Sequence, residues 1–353
     1  LITTPTSLGS TPSMHMLKPN SESEPSLSSS RGGWMQQPGN PSLKESTESH
    51  WQQVEEVNAS IQAGTHSDIP YVKLSLVRDT LSSASIKAPG PSRLRGEAIR
   101  AASSGLAPII QHMVIHCLII GYVPHNLIKS YIIWLLKQGK DALLGASYRP
   151  ITLICVLGKC VETILGTLLK AEIPQSLTGP EQFAGKKGFG TGMASFVLRI
   201  LIETHAFPLF FMFLDLKGAF DHMWNLAVWH SLAAKQIRLS ILKCLSNLYT
   251  HRPTQTKVEQ TLSEIFDILD GTPQGSPNGT DLFCIFIETL ISDLKQLRDE
   301  EGIGAHALLV LVITVVFVDD VTIVATSPEA LQKMLFVIWK WSLKNKVVFG
   351  FGP

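Results

Sequence analysis

Cysteine is scarce and poorly placed for cross-linking: five residues (Cys117, Cys155, Cys160, Cys244, Cys284) in 353, with no C-x-x-C pair. An odd number excludes a fully paired intramolecular framework, and the missing pair removes the usual structural zinc motif, so a reducing compartment is expected. Aromatic residues are 8% and charged residues only 17% of the chain, and 30 Lys and Arg nearly balance 29 Asp and Glu. A net charge of +1 neither demands nor excludes a polyanionic partner until its distribution is known. Long apolar runs are also lacking. The most apolar stretch, Ala307 to Val318, stops at Asp319-Asp320, well short of the about 20 residues of a membrane span. Its Val and Ile content favours a buried strand, so a soluble chain with no membrane partner is expected. LITTPTSLGS has neither the basic nor the apolar region of a signal peptide, and its start at Leu1 reads as a fragment or a processed product. Glycine (26) and proline (20) are too few for a collagen-like chain, and 45% hydrophobic residues exclude wholesale disorder.

Three regions differ in composition. Residues 1–60 are rich in Ser, Pro, Gly and Glu without an apolar period, which predicts a disordered Ser/Pro-rich segment. From residue 61 the pattern becomes globular. Helices are predicted over Tyr71–Ser85 and, with an interruption, over Arg93–Gly121, followed by a strand in SYIIWLLKQGK and a strand–helix unit in SYRPITLICVLGKCVETIL. Between Ile86 and Ile200 thirteen Lys and Arg stand against five Asp and Glu, a local basic excess that suits a phosphate-bearing partner. His112 and His116 lie one helical turn apart, but no H-E-x-x-H pattern accompanies them, so they read as partly exposed helix residues. Beyond residue 206 come an aromatic strand, helices, a G-T-P-Q-G-S turn, an apolar hairpin, and a helix opened by Ser327 and Pro328.

Chemistry concentrates in two apolar strands about 100 residues apart, each delivering aspartate: LFFMFL ends in Asp215, and VITVVFV ends in Asp319-Asp320. A carboxylate at the end of a buried strand is costly to leave unpaired. Side by side, the three would repel one another and call for a divalent cation. Hard oxygen ligands suit Mg2+, and a pair of such ions can stabilise both the attacking and the leaving oxygen in phosphoryl transfer. An isolated turn Asp and a hairpin-capping pair remain the alternative reading of motifs this short.

The ordered set of short motifs resembles the reverse transcriptases of non-LTR (LINE-type) retrotransposons. KAPGPS at Lys87, SYRPITLICVLGKCVETIL, EQFAGKKGFGTGMA, FLDLKGAFD (Phe213–Asp221), GTPQGSPNGTDLF and FVDD (Phe317–Asp320) follow in the family's order over roughly residues 85–325. The resemblance implies an α+β right-hand polymerase with fingers and palm and an antiparallel palm sheet; because the sequence stops at Pro353, the family's thumb is expected to be absent. It would divide the chain into residues 1–60, a fingers-like helical and basic region over 61–205, and a palm over 206–353. By the same resemblance, Asp215, Asp319 and Asp320 would be the catalytic and metal-holding residues, with Mg2+ as cofactor and Mn2+ as the alternative. Lys137 and Arg149 would grip the incoming triphosphate, Phe220 would exclude a ribose 2′-OH, and Gln274 and Gly275 would lie beside the nascent base pair. Lys344 or Lys346 would follow the palm helix. RNA template, DNA primer and dNTPs would be the partners, and the setting intracellular, nuclear or cytoplasmic.

The chain departs from the family pattern at Ser92, at Ala184–Lys186 and at Val318, where the family usually has Ala. With the missing thumb, these departures read as a truncated element. The function implied is RNA-directed DNA polymerase. The alternatives are a catalytically silent nucleic-acid-binding remnant and a maturase-like RNA-binding splicing cofactor. An RNA-dependent RNA polymerase fits less well, because FVDD stands where G-D-D would be and Phe220 is bulky.

Overall fold

The periodicity of the apolar residues decides most of the architecture. The computed structural model describes residues 41–350 apart from 66–67, 174–177, 187 and 251. Helices come first: α1 (Pro41–Ala63), α2 (Leu74–Ser82), α3 (Gly96–Ala101), α4 (Ser103–Ile120) and the short α5 (His125–Ile128). Strands β1 (Ser130–Leu136) and β2 (Tyr148–Ile154) then lead to α6 (Val156–Glu172) and α7 (Thr191–Thr204). Next are β3 (Phe210–Leu216), α8 (Asn225–Ala234), α9 (Leu239–Tyr249), β4 (Arg252–Val258), β5 (Thr261–Leu262) and β6 (Phe266–Ile268). The chain continues through α10 (Gly279–Glu301), β7 (Ala305–Ala307), β8 (Val310–Val312), β9 (Thr314–Phe317), β10 (Asp320–Ala325), α11 (Pro328–Lys344) and β11 (Phe349–Gly350). As its sequence predicts, α11 is capped by Ser327, whose Oγ accepts from the Ala330 N–H at 3.1 Å.

The expected disordered segment is corrected from Pro41 onward, since 41–60 lie in α1; residues 1–40 are outside the described residues. Trp51, Val54, Asn58 and Ile61 recur at three and four residues and make one inward face. Val54 and Ile61 are buried, Trp51 Nε1 donates to the Lys344 carbonyl at 2.7 Å, and Asn58 Nδ2 donates to that of Leu226 at 3.0 Å. The chain divides into two units, Leu1–Glu45 and Ser46–Pro353; of the first, only the opening turn of α1 is described.

Sheets are mainly antiparallel. One runs β2-β1-β4-β5, with β6 also on β4; the other runs β11-β3-β10-β9; β7 and β8 form a separate hairpin. The pairing of β1 with β4 is parallel, Ser130 opposite Thr254, and their hydroxyls meet at 2.9 Å. The expected domain boundary at 205/206 therefore does not separate the sheets, because β4 joins β1 across it.

Helix α10 is the central support. Leu282, Phe283, Ile285, Phe286, Ile287, Leu290, Ile291 and Leu294 are all buried; they surround the helix over 282–287 and then continue along one face. Leu216, Val316, Val321 and Ile323 from the second sheet join the same core. On that sheet's other face, Val315 packs with Phe183 and Ala194, and Val324 packs with Leu201 of α7. Helix α4, with 18 residues, is long and apolar enough by length and composition to cross a membrane, which corrects the expectation that apolar stretches of that length are lacking. Its Ala107, Ile110, Val114, Cys117 and Leu118 are buried. The five cysteines are buried free thiols.

Candidate active site

Strand register brings the aspartates together. In the antiparallel pair β3–β10, Val321 lies opposite Leu214 and Thr322 opposite Phe213; one further step sets Asp320 across from Asp215. Directly opposed residues share a face, with Cβ atoms about 5 Å apart. Val321 and Leu216 alternate with these two and are buried, so Asp320 and Asp215 lie on the opposite face, where both are exposed. On the other side of β3, β11 places Gly350 opposite Asp215. Asp319 is half-buried in the two-residue turn joining β9 to β10. Its carboxyl is raised above the ordinary aspartate range, first by burial and then by the charges of Asp320 and Asp215.

The turn itself is strained. Val318 adopts φ +58°, at the first central position of a two-residue hairpin that normally takes glycine. A β-branched residue there costs about 1–3 kcal/mol. Gln182, fully buried, meets it: its Oε1 accepts from the Val318 N–H at 2.9 Å and the Ala184 N–H at 3.0 Å, and its Nε2 lies 3.4 Å from the Val318 carbonyl. Segment 181–183 runs beside β9, with Phe183 N–H on the Val316 carbonyl at 2.8 Å and Val316 N–H on that of Glu181 at 2.9 Å.

A second group of candidates converges through backbone bonds. After β3 the chain turns through Gly218 to Phe220, whose carbonyl accepts from the Thr272 N–H at 2.8 Å. Gly271, at φ +79°, passes so close to the Phe220 and Asp221 carbonyls that a Cβ would strike them. Two residues beyond Thr272, the Gln274 carbonyl accepts from the Thr152 N–H of β2 at 3.2 Å. Gly275, at φ +117°, packs on the Thr152 carbonyl. Phe220 and the Gln274–Gly275 loop are therefore tied to each other and to β2. The Phe220 ring is half-buried and packs against Phe283, ring centres 5.1 Å apart and planes tilted by 33°.

Arg149 is exposed on β2 opposite Leu135 of β1, and Lys137 follows two residues after Leu135, which places both cations on one face of the hairpin. Thr152 ties this hairpin to the Gln274 loop, and that tie connects the two cations to the other candidates. His112 and His116 lie on α4 as expected, and His112 Nδ1 sits 2.8 Å from the Pro108 carbonyl. The Lys346 ammonium lies 4.3 Å from the Trp224 ring centre and 5.0 Å from that of Trp51. Lys187, part of the expected Gly/Lys loop, is outside the described residues.

Two residues stand inside the motifs without being candidates by themselves. Gln182 lies in EQFAGKKGFGTGMA and Glu162 in SYRPITLICVLGKCVETIL. Glu162 is a buried acid on α6 that accepts from Tyr249 and from Ser276, while its own carbonyl accepts from Asn278 Nδ2 at 2.7 Å. These bonds hold the far side of the Gln274–Gly275 loop to α6. Gly166, one turn further along α6, leaves room for the Asn278 side chain, and a Cβ there would collide with its amide. Gly166→Ala is expected to destabilise the protein by about 1–3 kcal/mol through overpacking, despite the better helix propensity of Ala. Urea unfolding checks this; an unchanged or raised midpoint would show that Asn278 moves freely.

Most of the chain is similar to known proteins. The family model described as reverse transcriptase (RNA-dependent DNA polymerase) matches residues 137–349. An RNA-directed DNA polymerase from mobile element jockey of Drosophila funebris is 26% identical over 278 residues, 75% of this chain and 29% of the relative. A probable RNA-directed DNA polymerase from transposon X-element of Drosophila melanogaster is 23% identical over 67% of this chain and 26% of its own length. The retrovirus-related Pol polyprotein from type-1 retrotransposable element R1 of Bradysia coprophila is 26% identical over 75% of this chain and 25% of its own. The chain thus spans less than a third of the length of each of these curated relatives.

Proposed function

The chain belongs to the reverse transcriptase (RNA-dependent DNA polymerase) family, and from that membership we propose that it is the polymerase portion of a non-LTR retrotransposon protein. Its reaction is the extension of a DNA primer 3′-OH by deoxynucleotides along an RNA template. The observation that carries this reading is the meeting of Asp215 and Asp320 across β3 and β10, with Asp319 in the adjoining turn.

The donor set fits Mg2+, with Mn2+ as the alternative. Among the described residues no three His, Cys, Asp or Glu form a finished cage. Mg2+ does not need one, because it binds through one or two carboxylates together with waters and substrate phosphates. When bound, the metal supplies positive charge to the attacking and leaving oxygens. Asp215 and Asp319 hold it, and Asp320 adds negative charge beside them. Lys137 and Arg149 meet the triphosphate, the Arg as a planar two-pronged donor and the Lys as a point charge. Gln274 and Gly275 present a close backbone edge to the nascent base pair. In this reading the β1–β2–β4 sheet is the fingers and the β11-β3-β10-β9 sheet the palm. An RNA template and a DNA primer are met inside the cell, in the nucleus or cytoplasm.

Phe220 serves as the sugar gate, its ring held by Phe283 on one side. Phe220→Ala is expected to lower discrimination between dNTP and rNTP by roughly tenfold or more, since a steric pocket is being opened. Unchanged discrimination removes Phe220 from this role.

Primer extension on an RNA template, with and without Mg2+, tests the reading as a whole. Deoxynucleotide addition that disappears on chelation supports it. Duplex binding by folded protein without any extension, in Mg2+ or Mn2+, replaces it with the silent nucleic-acid-binding remnant.

A further inference from the structure

We propose that Gln182 is a positioning residue: its side-chain amide clamps Val318 in left-handed backbone and so keeps the Asp319 carboxylate beside Asp215 and Asp320. The inference deepens the polymerase reading and rests on it for the role of the aspartates.

The geometry gives one amide both polar groups of one strained residue. Gln182 is 0% exposed, and a polar side chain so buried is costly unless it is satisfied. Its Oε1 takes the Val318 and Ala184 N–H groups at 2.9 and 3.0 Å, which fixes which end of the amide is oxygen. Its Nε2 then faces the Val318 carbonyl at 3.4 Å. Val318 at φ +58° lacks glycine's freedom, so without the clamp its backbone would relax toward negative φ and rotate the next residue, Asp319.

The clamp is itself anchored. The 181–183 segment is bonded to Val316 through both its N–H and its carbonyl, and Glu181 carries ion pairs from Lys295 at 3.4 Å and Arg298 at 3.8 Å, both on α10. Gln182 thus links the central helix to the turn. Val318 is β-branched and stiff at χ1, which increases the demand on the clamp.

The test compares the whole chain as wild type, Gln182→Met, Val318→Gly and the double variant. Met keeps the volume of Gln but none of its three hydrogen bonds, while Gly adopts positive φ without strain. In metal-free protein, hydrogen exchange over residues 314–325 is expected to quicken in Gln182→Met and to return toward wild type when Val318→Gly is added. In primer extension, Gln182→Met should raise the half-saturating Mg2+ by about tenfold or more, as substitutions behind metal ligands do. Extension at saturating Mg2+ should fall less, and Val318→Gly should recover most of the loss. Equal exchange in wild type and Gln182→Met overturns the proposal, as does a loss that Val318→Gly leaves unrelieved. If Gln182→Met fails to fold, recovery of folding in the double variant supports the clamp and its absence overturns it. Wild type without extension would remove the polymerase reading alone, because the metal-free exchange arm still decides the clamp.

Discussion

Asp215→Ala should abolish primer extension, reducing its rate by at least about a thousandfold, or about 4 kcal/mol of barrier, while the protein stays folded. The two halves of that expectation have different origins. Asp215 is exposed at the end of β3 and its removal leaves no cavity, so folding stability should change by no more than about 0.5 kcal/mol. The chemistry loses one of the few hard anionic ligands at the point where three strands, β11, β3 and β10, run side by side. Asp320→Asn supplies a contrast. It keeps the shape but removes a like charge facing Asp215, and should raise metal-free stability by a few tenths to about 1 kcal/mol. Parallel measurement of extension and of urea midpoints in chelator checks both. Substantial extension by Asp215→Ala would rule out the aspartate site.

Trp341→Ala should cost about 3–5 kcal/mol, a large part of the total stability of an ordinary domain. Trp341 is 1% exposed, donates from Nε1 to Thr289 Oγ1 at 2.7 Å, and packs 5.3 Å from Phe286 and 6.5 Å from Phe349 by ring centres. Removing it opens a void beside α10 and leaves the Thr289 hydroxyl without its donor. The effect also reaches the site, because Phe349 lies on β11, opposite Leu216 and one residue from the Gly350–Asp215 pair. Extension should therefore fall even at temperatures where the variant remains folded. The exposed Trp134→Ala should change stability by no more than about 0.5 kcal/mol. Equal midpoints for the two variants would contradict the packing account.

Legibility follows hydrophobic contrast. Strands β3, β9 and β10 can be read because long apolar runs end abruptly in carboxylate, a pattern with few physical explanations. α11 can be read from its Ser-Pro start. By contrast, β4 carries Arg252, Thr254 and Gln255, and its buried positions include Arg252 and Thr254. Arg252 is held locally, donating from Nε and Nη2 to the Leu248 carbonyl at 3.2 and 2.8 Å, an arrangement that apolar periodicity cannot reveal. Helix α1 is hard to read because its inward face is thin, with Trp51, Val54 and Ile61 diluted by Glu, Gln and Ser. Gln182 and Glu162 are hidden for a related reason: their importance lies in burial, and a buried polar residue has the same letter as an exposed one. The motifs locate the aspartates and the Gln274 loop, but which backbone bonds join them is set by tertiary register.

The bond from Trp51 Nε1 to the Lys344 carbonyl closes over 293 residues of chain. At a synthesis rate of about 5–20 residues per second, a ribosome needs roughly 15–60 s to deliver Lys344 after Trp51 has emerged. For that interval the inward face of α1 lacks one of its docking partners, and Trp51, Val54 and Ile61 are available to any chaperone that reads nascent apolar segments. Nascent chains arrested before Leu343 should therefore be captured more strongly than the same chain after release, so a helix made well before its partner is among the last to settle.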